Sequence, residues 1–243
     1  MRDHYEGTEF DMTKGVDAGP YGTPNRNRPI SWEVDGAKYA WERPISTQQT
    51  GFSFVSQSRS FLPDPVGGVL WYGVDDTYTS CYTPLYCCID SVPPAFTTGS
   101  LQKFTWDSAW WVFNFVANFA NLRYSDMVED IQKVQGEIEG DLLALQPEIE
   151  KTAVALAKKD PALMTRYLTE YSLTRTATMM ETWRVLGEYL ITTYNDGYVK
   201  NEKGSPQEVG YPESWLRDVT SSRPDQFKLP TWGDTKGQED LLD

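Results

Sequence analysis

The first half of the chain carries the hydrophobic pattern of β-strands. Apolar and polar side chains alternate from residue 52 to about residue 60, and this period of two predicts a half-buried strand. Residues 67–74 are apolar on both faces, which is typical of a strand covered on both sides. Residues 78–89 predict a third strand, reached through a turn at Asp75 and Asp76. The pattern therefore predicts an antiparallel meander.

Beyond residue 100 the apolar residues recur every three or four positions, the period of amphipathic helices. Ser125 is a favourable N-cap, and Pro161 after Asp160 is a strong N-cap and N1 pair. Pro147 permits either a kink or the first turn of a new helix. The pattern predicts helices over residues 107–122, 125–146, 161–171 and 174–194.

Together these elements predict an α+β fold with three regions. Residues 1–100 hold loops and antiparallel strands, residues 101–198 are helical, and residues 199–243 form an extended tail rich in proline. Residues 1–8 resemble the last turn of a helix that stops at Gly7, so we expect the chain to begin inside an element.

The net charge of −13 bears on possible partners. Nucleic acids and anionic membrane surfaces both attract basic proteins, so neither is an expected partner. The most apolar stretch, residues 104–120, is interrupted by Asp107, Asn114 and Asn118, so no membrane span is expected. A homo-oligomer is compatible with the composition.

Few residues have the chemistry of an active site. His4 is the single histidine, and we expect a structural role for it. Cys81, Cys87 and Cys88 lack zinc-ligand spacing, and no calcium-loop or phosphate-loop pattern occurs, so no metal and no cofactor is predicted. Asp75 and Asp76 are neighbours whose side chains point apart, which favours a turn over an acid–base pair.

The polar run Ser46, Thr47, Gln48, Gln49 and Thr50 leads directly into the first strand. Two interpretations fit this run equally well. It is either an edge strand or buried amide network, or a set of neutral donors and acceptors that line a peptide-binding cleft. The aromatic helix 107–119 is most simply part of the core, and the alternative is a platform for a ligand or glycan.

Several long motifs resemble one known family. They are residues 41–52 (WERPISTQQTGF), 67–76 (GGVLWYGVDD) and 82–86 (YTPLY), with further similarity at residues 3–8 (DHYEGT) and 106–130. These segments resemble the PepD-like cysteine dipeptidases of the N-terminal-nucleophile hydrolase superfamily. The resemblance covers most of residues 1–200.

This resemblance implies part of an αββα sandwich followed by a helical region. In the family the nucleophile is a cysteine at the mature N-terminus, and its own α-amino group is the general base. No residue here matches it, so no catalytic residue is assigned. The resemblance implies the C-terminal portion of a dipeptidase, inactive without an N-terminal half, with Thr47, Gln48, Gln49 and Thr50 beside a dipeptide substrate. The competing interpretation is a non-catalytic module that binds a glycan or a protein partner.

Overall fold

The computed structural model describes residues 1–207 and 209–229. These residues form an α+β fold with antiparallel strands, as the sequence predicts. The strands are β1 (Ser31–Val34), β2 (Ala37–Ala40), β3 (Phe52–Ser58), β4 (Gly68–Val74), β5 (Thr83–Tyr86), β6 (Val199–Lys200) and β7 (Pro206–Gln207). The helices are α1 (Asp64–Gly67), α2 (Ala109–Ala120), α3 (Tyr124–Ala157), α4 (Pro161–Tyr194) and α5 (Glu213–Ser222).

The central sheet has the strand order β3-β4-β5, with antiparallel pairing throughout. Residues opposite one another in this register share a face. One face carries Val69, Trp71 and Tyr86, which are buried together with side chains of α3 and α4. We call this the helix-side face. We call the other face of the sheet the open face. Its apolar side chains on β3 are exposed to solvent, and those in the middle of β4 are partly buried.

The open face bears a continuous group of large apolar side chains. Phe52 and Phe54 of β3 are 59% and 50% exposed, and the Phe52 ring stacks on Tyr72 at 5.8 Å between centroids. Val74, at the end of the same face, is buried in the core. The apolar character of β4 on both faces is therefore matched by burial on one face and only partial burial on the other. The open face consists of Phe52, Phe54, Leu70, Tyr72 and Leu85.

Two long helices account for most of the helical residues. α3 continues through Pro147, where Pro147 and Leu143 are both exposed, so the carbonyl of Leu143 that the proline leaves unbonded lies on the solvent side. The two helices predicted over residues 161–171 and 174–194 are one helix, α4. Ser172 is fully buried and the hydroxyl of Thr176 donates to its carbonyl oxygen, so packing sustains the helix where its propensity is weak.

Sheet and helices share their apolar cores. The first core cluster joins Val74 and Cys81 to α2 and the ends of α3 and α4, and within it the rings of Phe113 and Trp183 stack at 4.7 Å. The second cluster joins the helix-side face to the middle of α3 and the first half of α4. The chain divides into two compact units, Met1–Glu208 and Val209–Asp243. The tail predicted to be extended, residues 199–243, contains the helix α5.

Two further predicted elements differ from the structure. The third strand spans only β5, because Asp76 caps a 3₁₀ turn at Thr77–Thr79 and the hydroxyl of Ser80 bonds to the carbonyl of Val74. Residues 1–8 form turns instead of a helix end, since Tyr5 has a positive φ of 63° and its amide is held by the Asp3 carboxylate. Among the described helices, none is both long and apolar enough to cross a bilayer.

Candidate functional site

A buried polar network lies where β4 ends. Asp76 accepts hydrogen bonds from the hydroxyl of Ser46 at 2.5 Å and from that of Thr79 at 3.1 Å. Ser46, fully buried, also accepts from the amide of Tyr78 at 3.0 Å and lies 2.7 Å from the hydroxyl of Thr77. Because Ser46 begins the polar run, this network fixes the start of that run against the end of β4.

The first residues of the chain join the same network. The amide of Ser46 donates to the carbonyl of Asp3, and the hydroxyl of Thr77 donates to the carbonyl of Met1. Arg2 donates to the carbonyl of Thr77 at 2.7 Å and forms a bidentate ion pair with Glu139 of α3. Residues 1–6, which include the start of the DHYEGT motif, therefore form a structural anchor that ties together segments distant in sequence.

His4 lies inside this anchor and has no solvent exposure. Its ring contacts that of Tyr78 at 4.3 Å between centroids, and its ring nitrogens have no hydrogen-bond partner. Burial lowers the pKa of His4 more than the nearby carboxylates of Asp76 and Glu6 raise it, so the imidazole is neutral. Nδ1 lies 3.4 Å from the Glu6 carboxylate, a weak contact for a neutral ring. His4 is therefore structural, although it does not end a helix.

The side chain of Asp75 points away from that of Asp76 and has different neighbours. It adopts a left-handed φ of 65°, its amide donates to the carbonyl of Gly51 at 3.2 Å, and its Oδ1 accepts from the Asn114 side chain at 3.1 Å. Its Oδ2 is buried without a partner. Burial raises the pKa of Asp75 to about 8, and the negative charge of Asp76 adds to this effect. The two carboxyl groups therefore have different hydrogen-bond partners and different environments.

The pKa of Asp75 predicts a pH-dependent stability. Since the usual pKa is 3.8 and the folded value is about 8, the folded protein holds a proton across this interval that the unfolded chain has released. The free energy of unfolding should therefore fall as pH rises from 6.5 to 8, by at most about 1.4 kcal/mol per pH unit, whereas below pH 6.5 the lowered pKa of His4 gives a slope of the opposite sign. We expect Asp75→Asn to make this decline shallower in urea denaturation at several pH values.

The control for this experiment is Asp141→Asn, which removes the same charge from an exposed position of α3. It should keep the slope of the unmodified protein. Parallel profiles for Asp75→Asn and the unmodified protein would contradict the assignment of a protonated Asp75.

The predicted substrate-binding run is a turn held by its own side chains. The amide and hydroxyl of Thr50 both donate to the carbonyl of Thr47, at 3.0 and 2.7 Å. The side-chain amide of Gln48 donates to the carbonyl of Arg26 at 2.6 Å, and the Gln49 side chain accepts from Arg43 at 2.9 Å. Thr47, Gln48 and Gln49 line a cavity of only about 10 Å³, too small for a peptide.

A much larger cavity lies next to this turn. Its volume is about 520 Å³, and its walls come from residues 8–17, Arg26 and the base of the β1–β2 hairpin. The two cavities share Arg26, Trp41 and Glu42 as lining residues. No sequence pattern predicted this cavity. The feature that could have indicated it is the pair of tryptophans, Trp32 and Trp41, on the two sides of the hairpin.

Two of the three cysteines, Cys81 and Cys88, have surroundings that disfavour a thiolate. Cys81 is completely buried, and burial together with the charge of Glu139 raises the pKa of its thiol well above the ordinary value. Burial also raises the pKa of Cys88, and Cys87 is exposed at the turn after β5. Within residues 1–207 and 209–229, no three His, Cys, Asp or Glu side chains are grouped to hold a metal.

The aromatic side chains around α2 pack mainly edge to face. Trp110 and Trp111 meet at 79°, and Phe104 meets Trp106 at 87°. Phe115 and Phe119 are nearly parallel, at 9°. A sugar-binding platform needs coplanar rings presented to solvent, so this arrangement favours packing over glycan recognition.

Comparison with known proteins agrees with the resemblance seen in the motifs. Residues 1–137, more than half of the chain, match the family described as peptidase family C69. A search of curated proteins found no match. The matched region contains the anchor at residues 1–6, the polar run at residues 46–50, the central sheet, α2 and the first part of α3. The chain therefore belongs to peptidase family C69.

Proposed function

We propose that this chain is the C-terminal portion of a cysteine dipeptidase of the N-terminal-nucleophile type, and that activity needs the part of the enzyme that bears the nucleophile, which we call the nucleophile-bearing polypeptide. In the complete enzyme, a thiolate attacks the carbonyl carbon of the dipeptide amide bond and releases the C-terminal amino acid. Water then hydrolyses the acyl-thioester, which releases the second amino acid and restores the thiol. No cofactor takes part.

The main support for this proposal is the surroundings of the three cysteines. A nucleophilic cysteine needs a nearby base or cation that favours its thiolate. Burial and the charge of Glu139 raise the pKa of the Cys81 thiol and outweigh the nearby cation Arg2, so the thiolate is disfavoured. The single histidine of the chain is buried and neutral beside Tyr78 and cannot serve Cys87 or Cys88 as a base. A peptidase of this family with such cysteines requires its nucleophile from elsewhere.

The central sheet supports the same conclusion. The open face presents Phe52 and Phe54 to solvent beside Tyr72, whereas a strand such as β4, apolar on both faces, is normally covered on both sides. We assign the open face as the surface on which the nucleophile-bearing polypeptide packs. In that complex, Thr47, Gln48, Gln49 and Thr50 would line the substrate cleft with neutral donors and acceptors for the peptide backbone.

The test is reconstitution. The purified 243-residue chain is expected to release no amino acids from a panel of dipeptides. Co-expressed with the Cys-initiated N-terminal part of a family C69 peptidase, it should form a complex that hydrolyses dipeptides. Replacing the initiating cysteine of the added polypeptide with alanine should abolish the activity.

Turnover by the chain alone, lost in Cys87→Ala or Cys81→Ala, would overturn the proposal. If the chain neither hydrolyses dipeptides nor associates with such a polypeptide, the binding-module interpretation takes precedence. The expected ligand would then be a glycan or a protein partner.

A further inference from the structure

The 520 Å³ cavity beside the polar run has aromatic walls. Trp32 and Trp41 lie with their ring centroids 4.4 Å apart, and Phe10 lines the opposite segment. Trp32 and Trp41 are partly exposed, and the Trp32 ring also stacks on Tyr39 at 5.9 Å between centroids, so the two tryptophans belong to a cluster of three aromatic rings. Indole rings carry a negative electrostatic potential on their faces, which attracts ammonium and guanidinium groups.

The structure already contains one such contact. The guanidinium of Arg26 lies 5.7 Å from the centroid of the Trp41 ring. Arg26 is otherwise occupied, since it forms an ion pair with Asp17 and donates to the carbonyls of Met12 and Thr23. Arg26 therefore neutralises Asp17 and belongs to the wall of the cavity.

Other carboxylates lining the cavity are available to a ligand. Glu9 and Glu42 are exposed, and in the part of the chain that the structure describes neither forms a hydrogen bond or ion pair. Asp11 accepts from the hydroxyl of Thr13, and this bond lowers the pKa of Asp11, so that carboxylate stays ionised. Lys14 is the remaining cation of the lining. Indole faces and carboxylates together select a positively charged ligand over a neutral or anionic one.

The cavity also continues into the polar run. Arg26 accepts the hydrogen bond from Gln48, and Trp41 and Glu42 line both cavities. The larger cavity therefore lies directly beside the predicted substrate-binding run. This link makes the cavity a candidate specificity pocket instead of an unrelated surface depression.

We propose that this cavity binds the positively charged group of a peptide substrate, an inference that rests on the proposed dipeptidase function. The group is either the α-ammonium of the peptide or the side chain of a lysine or arginine residue. Both sources offer the same cation to Trp32, Trp41 and Glu42, and a set of matched peptides distinguishes them.

The probes are lysyl-alanine, norleucyl-alanine and their N-acetylated forms, titrated into the 243-residue chain by calorimetry. Norleucine retains the aliphatic stem of lysine without its charge. Lysyl-alanine binding at least about fivefold more tightly than norleucyl-alanine would identify the side-chain cation. If N-acetylation weakens binding at least about fivefold, while lysyl-alanine and norleucyl-alanine bind with equal affinity, the bound group is the α-ammonium. Affinities within twofold for all four peptides, or no binding by any, would overturn the inference.

Glu42→Gln should weaken binding of the preferred cationic peptide about fivefold and leave acetyl-norleucyl-alanine unaffected. The matched control is Glu33→Gln, which removes the same charge from the exposed β1 strand outside the cavity. Equal effects of the two substitutions would show general electrostatics and contradict a specific pocket. If the reconstituted enzyme hydrolyses charged and neutral dipeptides equally well, only this inference is refuted. If the chain binds the cationic peptide but the reconstituted enzyme hydrolyses no dipeptide, only the proposed function is refuted.

Discussion

Replacing Glu150 with alanine is expected to lower the free energy of unfolding by about 3–5 kcal/mol, because it leaves a buried charge without its partner. Glu150 of α3 forms an ion pair with Arg59, and the side chains of both are 10% exposed. The same carboxylate accepts from the hydroxyl of Tyr86 at 3.1 Å and from the side-chain amide of Gln146 at 2.8 Å. One substitution therefore leaves three donors without their acceptor.

The matched control is Glu148→Ala on the same helix. Its partner is Lys151, and the two side chains are 72% and 74% exposed, so the expected change is within about 1 kcal/mol. Urea denaturation followed by circular dichroism measures both variants. In the double variant Arg59→Met, Glu150→Leu, apolar side chains of similar size should recover much of the loss. A loss below about 1 kcal/mol for Glu150→Ala would show that water reaches the pair.

The strand positions were predictable from the local alternation of side chains, although the burial predicted for the apolar side chains of β3 is not observed, since Phe52 and Phe54 are exposed. β3 and β4 lie within two residues of the predicted boundaries, and the apolar run of β4 correctly indicated contacts on both faces. The third strand was predicted too long, because the capping of Thr77–Thr79 by Asp76 depends on Ser46, thirty residues earlier. Periodicity contains no information about such a distant partner.

The length of α4 shows a different limit. Ser172 and Thr174 have modest helix propensity, and two helices were predicted here, over residues 161–171 and 174–194. In the structure Ser172 and Thr176 are buried, and tertiary packing keeps the helix continuous. Packing contributes more to a long helix than propensity does, so a weak local signal was overridden.

The site was predictable in part. The polar character of Thr47, Gln48, Gln49 and Thr50 could be seen directly, and their role in substrate binding stays a prediction. The adjoining cavity could not be anticipated, because its walls come from a loop, a buried arginine and a hairpin that no periodic pattern connects. The fully buried position of His4 was equally hidden, since it follows from contacts with Tyr78 and the end of β4.

Replacing both Phe52 and Phe54 with threonine is expected to prevent assembly with the nucleophile-bearing polypeptide. Both rings belong to the open face and are at least half exposed, so the isolated chain should lose no more than about 1 kcal/mol of unfolding free energy. In a complex that covers this face, the same substitutions remove two large apolar contacts. We expect reconstituted activity to fall more than about tenfold, a change that needs only about 1.4 kcal/mol.

Val55→Thr is the matched control, because Val55 lies on the same strand, is 48% exposed and belongs to the opposite, helix-side face. It should preserve both co-purification and activity. Light scattering of the isolated chain gives an independent measure, since an uncovered apolar face promotes self-association and the double variant should reduce it. Equal losses of assembly in Val55→Thr and in the Phe52, Phe54 double variant would indicate that the edge of β3, not the open face, makes the contact. If the double variant still assembles with undiminished activity, the nucleophile-bearing polypeptide binds elsewhere on the chain.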